Sequence, residues 1–155
     1  MYVYLVQHGE AEREEIAPAR PLTQKGQTDV KKVAAFIPAG YMRVEKIVHS
    51  GKLRALQTAE ILGEVLKPPI GIAETDGLAP LDDPGIWAER LENMTENVVL
   101  TGHLPHLQRL VALLLCGTIV KPVVAFAMGG IVALERNDAG EWSLCWMVIP
   151  DLLGQ

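Results

Sequence analysis

The amino-acid sequence predicts an α/β protein, a three-layer sandwich with a mostly parallel central sheet and helices on both faces. Short apolar runs rich in β-branched residues alternate with helical patterns over most of the 155 residues. The runs are continuous rather than alternating, which is typical of parallel strands that are covered on both faces. The chain then ends in strand-like segments joined by turns, which indicates an antiparallel element near the C-terminus.

Three apolar runs predict buried parallel strands. They occupy residues 2–6, 47–48 and 98–100. A weaker strand is predicted around Ile72. Near the C-terminus, residues 123–127 and 131–135 are predicted as strands. A turn at residues 137–140 then leads into a last strand within residues 142–149.

Three helices are predicted between these strands. The first has Thr23 as its N-cap and places apolar residues at helical spacing through residues 30–37. The second begins soon after Gly51 and continues through residues 62–66. The third covers residues 107–115, with Pro105 in its first turn.

The composition predicts one folded domain over residues 1–155, because a domain has about 150 residues. The chain is 49% hydrophobic and 21% charged, which excludes a disordered protein. A formal net charge of -5 opposes binding to nucleic acid and to anionic membranes, so neither is expected as a partner.

A cytoplasmic location is expected from the cysteine count and from the absence of targeting signals in the sequence. Cys116 and Cys145 are too few for a disulfide framework and are expected to be small buried hydrophobes. The N-terminal residues lack the basic region of a signal peptide. The most apolar stretch, residues 104–120, is interrupted by polar residues and falls short of the ~20 apolar residues of a membrane span.

Polar residues follow each of the three central strands at the point where it ends. These segments are Gln7-His8-Gly9, His49-Ser50-Gly51 and Thr101-Gly102-His103. Because parallel strands share the edge at their carboxyl ends, we expect His8, Arg54 and His103 to converge there. Two imidazoles and a guanidinium favour a small anion such as phosphate, and an imidazole can attack phosphorus.

Four short motifs also follow one another in the order of a known family. They are Gln7-His8-Gly9-Glu10, Arg20-Pro21-Leu22-Thr23, Ser50-Gly51-Lys52-Leu53-Arg54-Ala55-Leu56-Gln57-Thr58-Ala59 and Thr101-Gly102-His103. Together they resemble the motifs of the histidine phosphatase superfamily, whose fold is phosphoglycerate mutase-like. The Arg-Pro-Leu-Thr segment, with Gly26 after it, resembles the compact SixA-like phosphohistidine phosphatase branch.

The resemblance implies a role for each matching position. His8 would be the nucleophile that becomes phosphorylated, Arg54 would bind phosphate oxygens, and His103 would stabilise the charge that develops on them. Arg20 would lie at the entrance of the pocket. The resemblance also implies that no metal or organic cofactor is required. The expected substrate is a phosphorylated protein that carries phosphohistidine, or a small phosphorylated molecule.

Gln7 departs from the family pattern, which has Arg before the nucleophilic histidine. A glutamine amide can donate to phosphate, but replacing a charge-assisted bond by a neutral one typically costs ~1 kcal/mol or a little more. That is roughly tenfold in rate if the loss falls on the transition state. We therefore expect reduced activity, and the substitution Gln7→Arg should raise turnover of a phosphoramidate.

The general acid is not identified by the sequence. Glu74, Asp76 and Asp82 lie in the segment where ester-cleaving members of the superfamily carry a carboxylate. A P–N bond to imidazole needs such an acid less than an ester does, which mildly favours phosphohistidine as the substrate.

Three alternatives remain at this stage. The first is a small-molecule phosphomonoesterase of the same superfamily. The second is a weakly active, phospho-ligand-binding regulatory module, because of Gln7. The third is a metallohydrolase, since His103 and His106 have a spacing that can place two ligands on one helix face, with His8 and His49 nearby. We expect no metal, because this spacing lacks a paired carboxylate ligand.

Overall fold

A computed structural model describes residues 1–154 of the chain. The strands are β1 (Tyr2–Gln7), β2 (Lys46–His49), β3 (Gly71–Glu74), β4 (Val98–Gly102), β5 (Ile131–Arg136) and β6 (Trp142–Val148). The helices are α1 (Gln24–Phe36), α2 (Leu53–Leu66), α3 (Pro84–Glu92) and α4 (His106–Cys116). A short 3-10 helix, Pro150–Leu153, follows β6.

All six strands form one sheet in the order β3-β2-β4-β1-β5-β6. The β1, β2, β3 and β4 strands are parallel, whereas β5 and β6 are antiparallel to their neighbours. This confirms the predicted mixed sheet. Because Gln7 pairs with Gly102 and His49 pairs with Thr101, the ends of β1, β2 and β4 lie at one edge.

Helices cover both faces of the sheet. Alternate residues of β1 point to opposite faces, as the period of two in a strand requires. Val3 and Leu5 belong to the core beneath α3 and α4, and Tyr4 and Val6 belong to the core beneath α1 and α2. The three central strands are almost entirely buried, which explains their continuous apolar sequences.

Helix α1 begins where the sequence predicts, because the hydroxyl of Thr23 accepts a hydrogen bond from the Gly26 N–H at 2.9 Å. Helix α3 was missed by the sequence analysis. Its signals are Asp83, which caps the N-terminus, and Pro84 in the first turn. Trp87 and Leu91, one helical turn apart, supply its buried face.

The prediction of a strand at residues 123–127 is wrong. The place beside β1 is taken by β5, and residues 123–127 form no strand; among them only Val124 is buried. The turn that follows is fixed by the Gly129 N–H, which donates to the Gln7 carbonyl at 2.9 Å. A run of apolar residues here therefore covers the core without pairing in the sheet.

The expectation that both cysteines are buried is also wrong. Cys116 is the last residue of α4 and Cys145 lies on the edge strand β6, and both are exposed and free. Within residues 1–154, the structure contains no helix with the length and apolar character needed to cross a membrane.

Candidate active site

The loops after β1, β2 and β4 meet at the sheet edge and bring two histidine rings together. The ring centroids of His8 and His103 are 5.0 Å apart. The backbone N–H of His8 donates to the Gly102 carbonyl at 3.0 Å, which extends the β1–β4 pairing up to the histidine. The two residues are only 8% and 2% exposed, so they form a buried imidazole pair.

The His8 ring is held in its neutral form. Its Nδ1 lies 2.7 Å from the carbonyl oxygen of Gly9, and since a carbonyl can only accept, Nδ1 must carry the ring proton. Nε2 therefore keeps its lone pair. Burial lowers the pKa of His8 to about 4, with the charges of Arg54 and Arg20 acting in the same direction against the Gly9 hydrogen bond.

The His103 ring is oriented by Ser50. The Ser50 Oγ lies 2.6 Å from Nε2 of His103 and also accepts from the Lys52 backbone N–H at 3.4 Å. The Ser50 hydroxyl can donate its proton to Nε2, and in that arrangement a neutral His103 carries its ring proton on Nδ1.

The Nδ1 atom of His103 is buried and makes no hydrogen bond to any residue in the described part of the chain. Burial lowers the pKa of His103 to about 3, and a proton on His8 and the charges of Arg54 and Lys52 lower it further. The ring is therefore neutral in the free protein, and in the arrangement in which Ser50 donates to Nε2, Nδ1–H is the donor that an oxyanion beside His8 could reach.

Arg54 lies in the first turn of α2, which is tied to the loop after β1 through Thr58. The Thr58 hydroxyl donates to the Arg54 carbonyl at 2.8 Å and accepts from the Gly9 N–H at 3.1 Å. Burial lowers the pKa of Arg54, and the positive charge of Arg20 adds to the effect. Its Nε is buried and has no hydrogen-bond partner among residues 1–154, so the guanidinium can still bind an anion.

Arg20 reaches the site because the loop between β1 and α1 folds back on itself. The Glu12 N–H donates to the Pro21 carbonyl at 2.8 Å. Arg20 has φ +52°, in the left-handed region, and its Nε donates to the Glu12 carbonyl at 3.0 Å. The Leu22 N–H binds Gln57 of α2 at 2.7 Å, so the loop is fixed against the helix that carries Arg54.

Gln7 is adjacent to His8, and its side chain lines a groove beside the imidazole pair. Its amide oxygen, Oε1, is buried and accepts no hydrogen bond from any described residue. The structure thus brings His8, Arg20, Arg54 and His103 together, with Gln7 between this cluster and the neighbouring groove.

The three candidate acids have different surroundings. The carboxylate of Asp76 is bound by Arg90 at 2.7 Å, and this hydrogen bond lowers the pKa of Asp76. The carboxylate of Asp82 accepts from the Ala79 N–H at 2.9 Å. Glu74 ends the edge strand β3, which is three strand positions, or ~14 Å, from β1.

His49 and His106 do not join the imidazole pair as metal ligands. His49 Nδ1 accepts from the Gly51 N–H at 3.0 Å, and His106 is completely buried at the start of α4. Across residues 1–154, no group of three or more histidine, cysteine, aspartate or glutamate side chains could hold a metal ion. This geometry gives the metallohydrolase alternative no support.

Sequence reasoning assigned no role to three groups that organise the site. They are the Gly9 carbonyl, the Ser50 hydroxyl and the Thr58 hydroxyl. Ser50 and Thr58 both stand in the second motif, at the start of α2, so the motif itself was the available signal. The Gly9 carbonyl carries no signal of its own in the sequence, because every residue has a carbonyl.

The fold and the buried histidine pair define the class of the protein. The model of the histidine phosphatase superfamily (branch 1) matches residues 3–113, and the chain belongs to this family. Family membership supports a hydrolase.

One relative of this chain is the phosphohistidine phosphatase SixA of Escherichia coli (strain K12). The two sequences are 28% identical, and the match covers 97% of this chain and 94% of the relative. The structure of the protein histidine phosphatase SixA complexed with tungstate matches with a TM-score of 0.87 and 27% identity, covering 99% of both chains. An uncharacterized protein of Picosynechococcus sp. (strain ATCC 27264 / PCC 7002 / PR-6) is 40% identical over 69% of this chain and 68% of its own. These matches confirm the predicted phosphoglycerate mutase-like fold.

Proposed function

We propose that this protein hydrolyses phosphohistidine through a covalent phospho-His8 intermediate. The observation that carries the proposal is the hydrogen bond from His8 Nδ1 to the Gly9 carbonyl, which leaves Nε2 unprotonated in a buried site. His103 Nδ1–H and the Arg54 guanidinium supply the donors that a phosphoryl group requires. Arg20 adds positive charge at the entrance, and Gln7 supplies a neutral amide.

In the first step, the Nε2 lone pair of His8 attacks phosphorus, and the P–N bond to the substrate imidazole breaks. The electron pair of that bond goes to the departing nitrogen, which takes a proton from solvent. The His8 ring then carries the phosphoryl group and a positive charge, which the Gly9 carbonyl stabilises at Nδ1–H. Arg54 and His103 donate to the phosphoryl oxygens as negative charge develops on them.

In the second step, water attacks phosphorus and the P–Nε2 bond breaks. Its electron pair returns to His8, and the water loses one proton to solvent. One phosphohistidine and one water are thereby converted into histidine and inorganic phosphate, and His8 regains its neutral form for the next cycle.

Phosphohistidine suits this site better than a phosphate ester because a P–N bond to imidazole needs less protonation of its leaving group. Asp76 is paired with Arg90 and has a lowered pKa, so its carboxyl is ionised at neutral pH and cannot donate a proton. Asp82 is bound to a backbone N–H. The relative from Escherichia coli is named a phosphohistidine phosphatase, which supports the same substrate class here.

Trapping the intermediate tests the proposal. After a brief incubation with labelled phosphoramidate, the protein should carry an acid-labile, base-stable phosphoryl group. His8→Asn should abolish both the label and phosphate release, whereas the matched control His49→Asn should keep the label. Phosphate release from a phosphohistidine peptide that is indifferent to His8→Asn would contradict the mechanism.

The same assays separate the two remaining alternatives. A small-molecule phosphomonoesterase would release phosphate faster from esters such as phosphoserine than from phosphoramidate. A regulatory module would bind phosphohistidine peptide without turnover.

We also propose that catalysis requires no metal, so activity should persist in a chelator. An activity that is lost on chelation and restored by a divalent ion would show the opposite.

A further inference from the structure

The turn that carries Ser50 is held by the side chain of His49. The ring nitrogen Nδ1 of His49 accepts a hydrogen bond from the Gly51 N–H at 3.0 Å. This hydrogen bond spans Ser50, because it joins the residue before Ser50 to the residue after it. The Ser50 hydroxyl in turn lies 2.6 Å from His103 Nε2. The His49 ring therefore acts on the turn that presents this hydroxyl to His103.

His49 is itself fixed by the end of the sheet. The residue is buried, and its backbone pairs with Thr101 on β4 and with Glu74 on β3. Its carbonyl accepts a hydrogen bond from the Thr75 N–H at 2.9 Å. Because these contacts hold the main chain of His49, its ring meets the turn from a fixed position.

Gly51, by contrast, needs a contact that holds it in place. It has φ +90°, in the left-handed region, which glycine adopts without strain. A Cβ at this position would overlap the Glu74 carboxylate, so the turn requires glycine here. Since glycine also has more conformational freedom than any other residue, the hydrogen bond to His49 restricts the part of the turn that is otherwise the most flexible.

This hydrogen bond depends on the protonation state of His49. Because Nδ1 accepts, the ring proton of a neutral His49 is on Nε2. A protonated histidine has an N–H on both ring nitrogens and can accept at neither. The Gly51 N–H would then face a second donor, and the turn would lose its contact with the ring.

Burial and two carboxylates set the pH at which His49 takes up a proton. Burial lowers the pKa of His49, whereas Glu74 on β3 and Glu60 on α2 raise it. The neighbour on β4 is Thr101, which carries no charge. The effect of burial is the larger, so the ring is neutral at pH 7.5 and is protonated only below pH 6.5.

We propose that His49 is a positioning residue for the phosphatase reaction, because its neutral ring holds the turn that keeps the Ser50 hydroxyl on His103. The inference rests on the proposed function and adds to it a residue that acts only through Ser50 and His103. Protonation of His49 releases the turn and has the same consequence for His103 as loss of the Ser50 hydroxyl. The rate of the reaction thereby depends on a proton that is taken up outside the imidazole pair.

The test compares the wild-type protein with His49→Asn. An asparagine side chain commonly accepts from the backbone N–H two residues further on, so it can bind the Gly51 N–H without titrating. We take the ratio of kcat for phosphoramidate, wild type over His49→Asn, and set it to one at pH 7.5. As the pH falls to 4.5 this ratio should decline by up to roughly tenfold, the change that corresponds to about one hydrogen bond. Titration of His8 affects both proteins alike and cancels in the ratio.

Nuclear magnetic resonance fixes the pH at which the ratio should change. The histidine resonance that is missing from the His49→Asn spectrum belongs to His49, and its shift with pH gives the pKa of the ring. The ratio should fall at that pH. The matched control is the same comparison in a Ser50→Ala background, where the turn has no hydroxyl to position and the ratio should not change with pH.

His49→Ala removes the acceptor altogether. It should lower kcat at pH 7.5 by about the same factor as Ser50→Ala and add little to it in the double variant, and the His49→Asn comparison stands even if His49→Ala does not fold.

A ratio that stays constant while His49 takes up its proton would overturn the inference. An equal decline in the Ser50→Ala background, or a His49 ring that stays neutral down to pH 4.5, would overturn it as well. In each of these cases phosphate release by the wild-type protein still upholds the proposed function. Failure of the wild-type protein to release phosphate at pH 7.5 would overturn the proposed function, and the inference with it.

Discussion

Ser50 illustrates how a single hydroxyl can affect which ring nitrogen of a neighbouring histidine carries the proton. It accepts from the Lys52 N–H and lies 2.6 Å from His103 Nε2, and by donating to Nε2 it favours the ring form whose proton is on Nδ1. Without this hydroxyl, either nitrogen of a neutral imidazole can carry the proton. In the proposed mechanism Ser50 is thus a positioning residue, because it would act on the phosphoryl group only through His103.

We expect Ser50→Ala to lower kcat for phosphoramidate by roughly tenfold, which is the change in rate that corresponds to the energy of about one hydrogen bond. KM should change little, because Arg54 and Arg20 still bind the anion. Ser50→Thr keeps the hydroxyl and should restore most of the rate. Ser143→Ala, on the edge strand β6, removes a comparable hydroxyl far from the site and is the control. A change in KM alone would contradict the positioning role.

Gln7 gives a second prediction at the residue scale. Gln7→Arg adds a charge beside His8, and we expect kcat/KM for phosphoramidate to rise roughly tenfold, the value of a charge-assisted over a neutral hydrogen bond. Thr118→Arg adds the same charge just beyond the far end of α4 and should leave the rate unchanged. An unchanged rate in Gln7→Arg would show that Arg20 and Arg54 already supply the charge that the reaction needs.

The start of α1 shows how an element positions His8, the proposed nucleophile. A Cβ on Gly26 would overlap the carbonyl oxygen of Glu10, so only glycine allows α1 to approach the loop after β1 this closely. That loop carries His8 and the Gly9 carbonyl. The side chain of Thr23 caps the helix and also donates to the Glu10 carboxylate at 3.0 Å, which strengthens the same contact.

Gly26→Ala should therefore lower both stability and activity. Alanine normally stabilises a helix interior by about 1 kcal/mol relative to glycine, but here overpacking opposes that gain by about 1–3 kcal/mol. Urea unfolding should show a net loss of stability, and kcat should fall as the His8 loop moves. Thr28→Ala, at an exposed position of the same helix, should affect neither. Increased stability in Gly26→Ala would mean that the loop yields without strain.

The elements differ in how well the sequence predicted them. Strands β1, β2 and β4 and helix α4 were predicted because their burial leaves uninterrupted apolar runs in the strands and a helical apolar pattern in α4. Helix α3 was missed since it has only nine residues and few buried positions, although Asp83-Pro84 marked its start. Residues 123–127 were assigned wrongly because covering a core and pairing in a sheet require similar apolar residues.

At the scale of the whole molecule, the parallel sheet explains why residues far apart in sequence meet. Because β1, β2 and β4 run in one direction, His8, Ser50 and His103 follow three strand ends at a single edge. This convergence follows from topology and was predictable. The ring tautomers and the groove beside Gln7 were not predictable, because they depend on backbone carbonyls and loop packing.

A net charge of -5 is compatible with a cationic pocket, since distant charges are screened.

The burial of the histidines also makes the stability of the whole protein depend on pH. Burial is the largest cause of the lowered pKa at all four histidines, reaching about 4 at His8 and about 3 at His103. An unfolded histidine titrates near pH 6.5, so between pH 6.5 and pH 4 the unfolded chain binds protons that the folded protein does not. The contribution of the histidines to the free energy of unfolding is therefore greatest above pH 6.5, and it is lost as the pH falls from 6.5 to 4.

We expect the free energy of unfolding to fall by about 1.4 kcal/mol per pH unit for each proton taken up on unfolding. Urea titrations at several values between pH 7.5 and pH 4.5 would measure the slope. His8→Asn removes one of these protons, so the free energy of unfolding should change with pH less steeply, by about 1.4 kcal/mol per pH unit. This change in slope is expected whether or not the substitution alters stability at neutral pH. Tungstate, an oxyanion bound by the related SixA structure, should raise the pKa of His8 and His103 and so reduce the slope further. A stability that is constant from pH 7.5 to pH 5 would mean that the histidines take up protons at the same pH in the folded and the unfolded protein, which would contradict a buried imidazole pair with lowered pKa values.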